Sequence, residues 1–422
     1  MADFHQEGII TTLHALYDGA FDEKAYLEYL EKKLEEYSRH LRIGLLLPSL
    51  YSEIQNPQVL DRILDEIRKV RYLHTVVVAL GGAPDEAQFR EAKEYFGRLR
   101  ARGRDVEVVW VEGPGIQGIL EEIRKRDIST GVQGKGQSVW IALGYMFARE
   151  DCDVIALHDC DIVTYDRILL GRLIEPTANP NNDFEFCKGY YVRISPAERA
   201  MKGRVTRLFV TPFVDAMSKI MRERGLEELR LFFAYHRTFN YPLAGEFSFS
   251  TRLARGINIA YDWGLEVSTL SEVYKRVIPQ KIAQIDLATN YEHKHQDLSA
   301  EDVNRGLHRM VVDIAKFYLN HVRSHGFPLD DHTVDMVLHS YYENALGFIK
   351  SYSDDAEVNG LVYDRYQEEA TVRHFRGFIW TAWEQSKGPR ESTVIPSWNR
   401  VLYSVPSIYP QLLKAVKGDN TH

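Results

Sequence analysis

Cysteine is scarce in this 422-residue chain: Cys152, Cys160 and Cys187 have neither a disulfide-framework spacing nor a paired zinc-site spacing. Cys160 reads as a buried thiol. Long apolar runs are missing as well, and no stretch approaches the roughly 20 residues of a membrane-spanning helix. The opening residues, Met1-Ala2-Asp3-Phe4-His5-Gln6, lack the basic segment and apolar core of a signal peptide. The expectation is a soluble cytoplasmic protein with no membrane partner. Excess positive charge is absent too: 52 Lys and Arg against 60 Asp and Glu give a net charge of -8. That argues against a general nucleic-acid binder, because phosphate backbones reward a basic surface, but leaves room for a small anion in a local basic pocket.

What is present is enough apolar material, 45% of residues, to bury a large core. Helical spacing over Asp22 to Tyr37 precedes a strand at Ile43–Leu47 that is expected to stop at Pro48. Helices are expected over Pro57–Lys69, Asp85–Arg100 and Gly136–Arg149, with strands at Thr75–Leu80, Val106–Trp110 and Val154–Leu157. Such alternation predicts an α/β sheet with crossover connections, whose sites open at strand carboxyl ends, so Pro48, Gly81 and Asp159 face one crevice. Pro176–Asp183 reads as a polar turn, Phe186–Val192 as a strand and Val205–Arg222 as helical. Phe247–Ala254 and Trp263–Tyr274 also read as helical, and Lys281–Ala288 as a last sheet segment. From about residue 300, helical spacing runs through His321 and again over Thr371–Gln385.

The chemistry begins at Val154-Ile155-Ala156-Leu157-His158-Asp159-Cys160-Asp161. In a strand the two aspartates share a face, where they can hold one hard divalent cation against a diphosphate. Upstream, Gly134-Lys135-Gly136 departs from a full phosphate loop, yet it offers backbone donors and a cation at a helix start. Lys188 to Arg193 and Lys202-Gly203-Arg204-Val205-Thr206-Arg207 add cations that can cradle a second anion, with Arg204 supplying a forked donor and Thr206 a hydroxyl. Glu246 follows a glycine turn, whereas Asp262 and Glu266 read as acids serving a helix start. His293 and His295 place two imidazoles in one extended segment.

Taken in order, Pro48-Ser49-Leu50 with Glu53, Gly134-Lys135-Gly136, Asp159-Cys160-Asp161, Gly203-Arg204-Val205-Thr206, Gly245-Glu246 and His293 resemble the retaining GT-A glucosyl-3-phosphoglycerate synthases, and more distantly the mannosylglycerate synthases. The resemblance covers roughly residues 43 to 296. It implies a GT-A fold with a mixed, mostly parallel sheet, to which the helical spacing beyond residue 300 adds a helical C-terminal appendage. It also implies a homodimer. By position, it implies that Pro48, Ser49, Leu50 and Glu53 surround the uracil and ribose of the donor, and that Lys135 lies in the diphosphate pocket. The resemblance further implies that Asp161 and His293 bind Mg²⁺ or Mn²⁺, that Asp159 faces the ribose or sugar side, and that Glu246 faces the donor glucose. It implies an acceptor-binding set of Gly203, Arg204, Val205, Thr206 and His295, in which Arg204 and Thr206 hold the acceptor's phosphate and His295 stands where the family has Asn.

The expected reaction moves glucose from an NDP-glucose, UDP-glucose first, to the 2-hydroxyl of 3-phospho-D-glycerate. Mannosyl transfer from GDP-mannose to free glycerate, a non-catalytic nucleotide-sugar sensor and a metal-dependent nucleotidyltransferase are the alternatives. The chain divides into a helical segment 1–42, a nucleotide-sugar part 43–165, an acceptor part 166–299 and a helical region 300–422.

Overall fold

The structure is a computed structural model that describes residues 6, 8–100, 104–288, 290–292, 306–388 and 392–421. Eight strands form its central sheet: β1 Thr11–Leu13, β2 Ile43–Leu50, β3 Leu73–Gly81, β4 Asp105–Trp110, β5 Val154–Leu157, β6 Phe186–Tyr191, β7 Phe247–Ser250 and β8 Ile282–Ala288. Their order is β1-β8-β6-β7-β5-β2-β3-β4. Only β7 runs against its two neighbours, β5 and β6.

Alternation along the strands sorts the side chains onto two faces. Leu46, Val77, Ala79, Ile155 and Leu157 pack on one face with helix Lys135–Arg149. Leu45, Leu47, Val76, Val78 and Ala156 pack on the other against helices Gln58–Lys69, Glu86–Gly97 and Arg167–Ala178. Both faces are covered, which is why these strands read as continuous apolar runs.

A third core joins Val205–Met221 to helices Gly306–Ser324, Asp331–Val358 and Arg365–Ser386. The last segment returns to the first core: Val394 and Ile395 pair antiparallel with Ala260 and Ile259 in a separate two-stranded sheet, and Trp398 stacks on Trp140 with ring centres 4.5 Å apart. Among the described residues no helix is long and apolar enough to cross a membrane.

Three local expectations are corrected. β2 does not stop at Pro48; it continues to Leu50, because pairing with β5 ends at Leu46 and the strand then has one neighbour, where a missing N–H is tolerated. Phe247-Ser248-Phe249-Ser250 is strand rather than helix: Phe247 and Phe249 enter one core while the Ser248 hydroxyl donates to the Leu173 carbonyl on the other side. The helical part of the expected segment begins only at Thr251, in helix Thr251–Gly256. Pro176 lies inside helix Arg167–Ala178, and the turn begins only at Asn179.

Candidate active site

β5, β2 and β3 are adjacent and parallel, so the loops after Leu157, Leu50 and Gly81 share one edge. Pro48 lies in the body of β2 opposite Ala79, and Leu50 is exposed at the mouth. Beyond β2, helix Tyr51–Gln55 turns Glu53 back, so that its carboxylate accepts from the Ser49 hydroxyl at 2.6 Å and the Leu50 N–H at 3.3 Å. Glu112, just past β4, accepts from the Gly82 N–H at 2.8 Å and from Gln133, tying two loops of the edge together.

Lys135 opens helix Lys135–Arg149 after the Gly131–Gly134 loop, where Gly131 has φ +66° and packs against the Tyr261 ring. Its Nζ lies 2.7 Å from Asp159 and 3.0 Å from Glu266. Burial opposes its charge, but the two carboxylates outweigh burial and hold its pKa above the ordinary lysine range. Glu266 is the residue that sequence reasoning assigned to a helix start. The signal that could have found it is its proximity in sequence to the Ala260–Gly264 turn, which packs on the glycine loop.

Asp159 and Asp161 lie past the end of β5 rather than within it. Burial first, then Asp159 and Glu53, push the Asp161 carboxyl up to about 7. Cys160 between them is buried, as expected of a structural thiol. Lys188 is buried with its ammonium on the Ala244 carbonyl; burial lowers its pKa to about 8 against the pull of Glu266 and Glu246. Five carboxyls (Glu53, Asp159, Asp161, Glu246, Glu266) thus surround two ammoniums, Lys135 and Lys188. That crowding of hard oxygen ligands fits a divalent cation at Asp161. Among the described residues no three His, Cys, Asp or Glu side chains converge to hold one alone. The expected ligand His293, and His295, lie outside the described residues.

Glu246 follows Gly245, where a Cβ would come within 2.5 Å of Asp159 Oδ2, so the two motifs touch. Glu246 is 1% exposed, and its oxygens accept from the Tyr191 hydroxyl at 2.9 Å and from the Tyr291 hydroxyl. The two phenol rings stack with centres 3.7 Å apart. Burial and Asp159 raise the Glu246 pKa while the two phenols lower it. Each oxygen retains a second lone pair for a ligand.

Tyr191 packs on Tyr241 at 4.8 Å, and the Tyr241 hydroxyl stands 2.9 Å from where a Cβ on Gly203 would be. This chain of rings joins the carboxylate cluster to the basic loop. Gly203 has φ +76°, a conformation suited to glycine, and Val205–Val210 form a π-helical turn before helix Thr211–Glu223. Pro212 has no N–H to close a helical bond onto the Leu208 carbonyl, which accepts instead from the Tyr341 hydroxyl at 2.8 Å. Val205 is buried, and Thr206 Oγ1 is buried without a hydrogen-bond partner among the described residues. Arg204 is partly exposed and held by Glu368 and Gln367. A separate cleft of about 340 Å³ is lined by Tyr261, Glu272, Lys275, Lys316 and Arg323 and by none of the five carboxyls above.

A mixed, mostly parallel sheet with acids and a lysine at its carboxyl edge and a basic loop beside them defines a GT-A glycosyltransferase site. No protein-family model matches the chain. Whole-chain comparison is more telling: the glucosyl-3-phosphoglycerate synthase of Persephonella marina is 37% identical over 422 residues, covering 100% of both chains. That of Methanococcoides burtonii is 38% identical over 424 residues, covering 99% of this chain and 98% of its own. The chain belongs to the glucosyl-3-phosphoglycerate synthase family. Its fold is that of the Mycobacterium tuberculosis glucosyl-3-phosphoglycerate synthase solved with phosphoglyceric acid, at TM-score 0.52 and 20% identity over 76% of this chain and 90% of that one. The same enzyme solved with Mn²⁺, UDP-glucose and phosphoglyceric acid gives TM-score 0.50 at 21% identity, over 71% and 85%.

Proposed function

We propose that the chain transfers glucose from UDP-glucose to the 2-hydroxyl of 3-phospho-D-glycerate with retention, giving glucosyl-3-phosphoglycerate. The observation that carries the reading is Lys135 set between Asp159 and Glu266 at the strand ends, in a chain related over its full length to synthases of that name. Pro48, Ser49, Leu50 and Glu53 border the nucleoside, and Asp159 the ribose or sugar. Lys135 faces the diphosphate and shares the negative charge that develops as it leaves. Asp161, with His293, holds Mg²⁺ or Mn²⁺, and the bound cation supplies Lewis-acid stabilisation of the same charge. Glu246, oriented by Tyr191 and Tyr291, accepts from sugar hydroxyls. Gly203, Arg204, Val205, Thr206 and His295 hold the acceptor so that its hydroxyl approaches the anomeric carbon from the leaving-group face. A diphosphate oxygen then takes the proton. The enzyme acts in the cytoplasm as a homodimer.

Purified protein with Mg²⁺ is assayed with UDP-glucose, GDP-glucose and GDP-mannose, each crossed with 3-phosphoglycerate and free glycerate. The expected product is glucosyl-3-phosphoglycerate from UDP-glucose. A mannosylated product, or equal use of free glycerate, overturns the donor or the acceptor assignment respectively. Light scattering after gel filtration reads the dimer.

A further inference from the structure

The helical C-terminal region contributes a side chain to the acceptor loop. Glu368, 4% exposed, lies in the first turn of helix Arg365–Ser386, whose start is capped by Asp364. Its Oε1 accepts from Arg204 Nε at 2.7 Å, and its Oε2 stands 3.0 Å from Arg207 Nη1. Gln367, the preceding residue, accepts from Arg204 Nη2 at 2.7 Å. Arg207 is fixed in turn, donating from Nε to the Lys202 carbonyl at 3.0 Å. A carboxylate this buried persists only when paired, and here one carboxylate serves two guanidiniums.

We propose that Glu368 is a positioning residue for acceptor binding. It clamps Arg204 by one edge and leaves the other N–H donors of the guanidinium for the anionic group of the acceptor. Of the guanidinium's five N–H donors two are occupied by Glu368 and Gln367. A long side chain braced before the ligand arrives loses less rotamer freedom on binding. Glu368 also cancels one of the two positive charges, so the loop attracts an anion without carrying two bare guanidiniums. The inference rests on the reading of Arg204 and Thr206 as acceptor-binding residues.

The test is steady-state kinetics with Mg²⁺, varying 3-phosphoglycerate at saturating UDP-glucose and the reverse, on E368Q, Q367A and R204A, with melting temperatures for each. E368Q keeps the shape and removes the charge. It is expected to raise the KM for 3-phosphoglycerate about tenfold, the size of one weakened charge-assisted hydrogen bond, with kcat and the KM for UDP-glucose near wild type. Q367A, which strands no buried charge, is expected to move the same constant by less. An unchanged or lowered KM for 3-phosphoglycerate in E368Q overturns the proposal, the lowered value by showing that Glu368 competes with the acceptor. Equal rises in both KM values with a lowered melting temperature overturn it in favour of a purely structural ion pair. R204A separates the two levels: no effect on the acceptor KM sinks the underlying reading, whereas a rise in R204A without one in E368Q sinks the brace alone.

Discussion

Lys135 and Glu266 meet at 3.0 Å, each in the first turn of its own helix. The contact joins the glycine loop to helix Leu265–Arg276, and Glu266 is buried where Lys135 also reaches Asp159. Two helix starts are thereby pinned at the edge of the sheet. The lysine's direction is set by a residue about 130 positions downstream.

Replacing Glu266 by Gln removes one of the two charges that hold Lys135 in place. A charge-assisted hydrogen bond contributes about 1.5–3 kcal/mol, so the KM for UDP-glucose should rise roughly 10- to 100-fold if that loss appears in donor binding. The acceptor constant should move much less. Donor kinetics at saturating 3-phosphoglycerate check this, and an unchanged donor KM assigns Glu266 to architecture alone.

Asp161 is crowded by Asp159 and Glu53 and partly buried, so its negative charge opposes the metal-free fold. Asp161→Asn should therefore melt no lower than wild type without metal, and should lose the upward shift in melting temperature that Mg²⁺ or Mn²⁺ gives the wild type. Turnover should fall by about 10²- to 10³-fold, as when a transition-state charge loses its stabiliser. A full metal-induced shift in the variant would remove Asp161 from the metal shell.

Residues whose pattern is local were legible in the sequence. Asp159 and Asp161 follow a short apolar run that reads as a buried strand, and Lys135 sits between glycines at a helix start. Glu266 and Glu368 were not legible, because a single acid near a helix start has an adequate local explanation in the helix dipole. Only the tertiary contacts with Lys135, Arg204 and Arg207 show more. The same limit hid helix Asp331–Val358: many of its positions are charged or exposed, and its buried stripe of Val334, Val337, Leu338, Tyr341 and Ala345 acquires meaning against Val205–Met221. Phe247–Ser250 was misread because four residues of alternation are too few to outweigh a helical continuation.

Gly136 and Gly118 offer a paired test of the packing at the start of helix Lys135–Arg149. A Cβ on Gly136 would fall 1.9 Å from the Ala260 carbonyl oxygen, a backbone atom that cannot swing aside. Gly136→Ala should cost about 1–3 kcal/mol or more and displace Lys135. Gly118, exposed in helix Pro114–Arg124 with nothing within 4 Å of its Cβ position, should gain about 0.5–1 kcal/mol as Ala. Urea unfolding of both variants reads the difference in sign.

Acid sensitivity should come in part from His236. The ring is buried, with Nε2 3.1 Å from the Ser271 hydroxyl and Nδ1 3.0 Å from the Tyr318 hydroxyl, and burial pushes its pKa down to about 3. The folded chain keeps this imidazole neutral, while the unfolded chain protonates it near 6.5. As pH falls below that value the unfolded state binds more protons and stability drops, by up to about 1.4 kcal/mol per pH unit. The loss continues until the folded pKa is reached. His158, pushed down to about 4 by burial, adds a loss of the same sign. Asp262, raised to about 7 by burial and Asp313, works in the opposite direction, because the folded state then holds the extra proton. The total slope mixes these terms, so the informative quantity is a difference between two proteins. Urea unfolding at pH 7.5, 6.5 and 5.5 should show His236→Gln losing stability less steeply than wild type below pH 6.5. Parallel slopes would mean that His236 takes a proton in the folded state as readily as in the unfolded one.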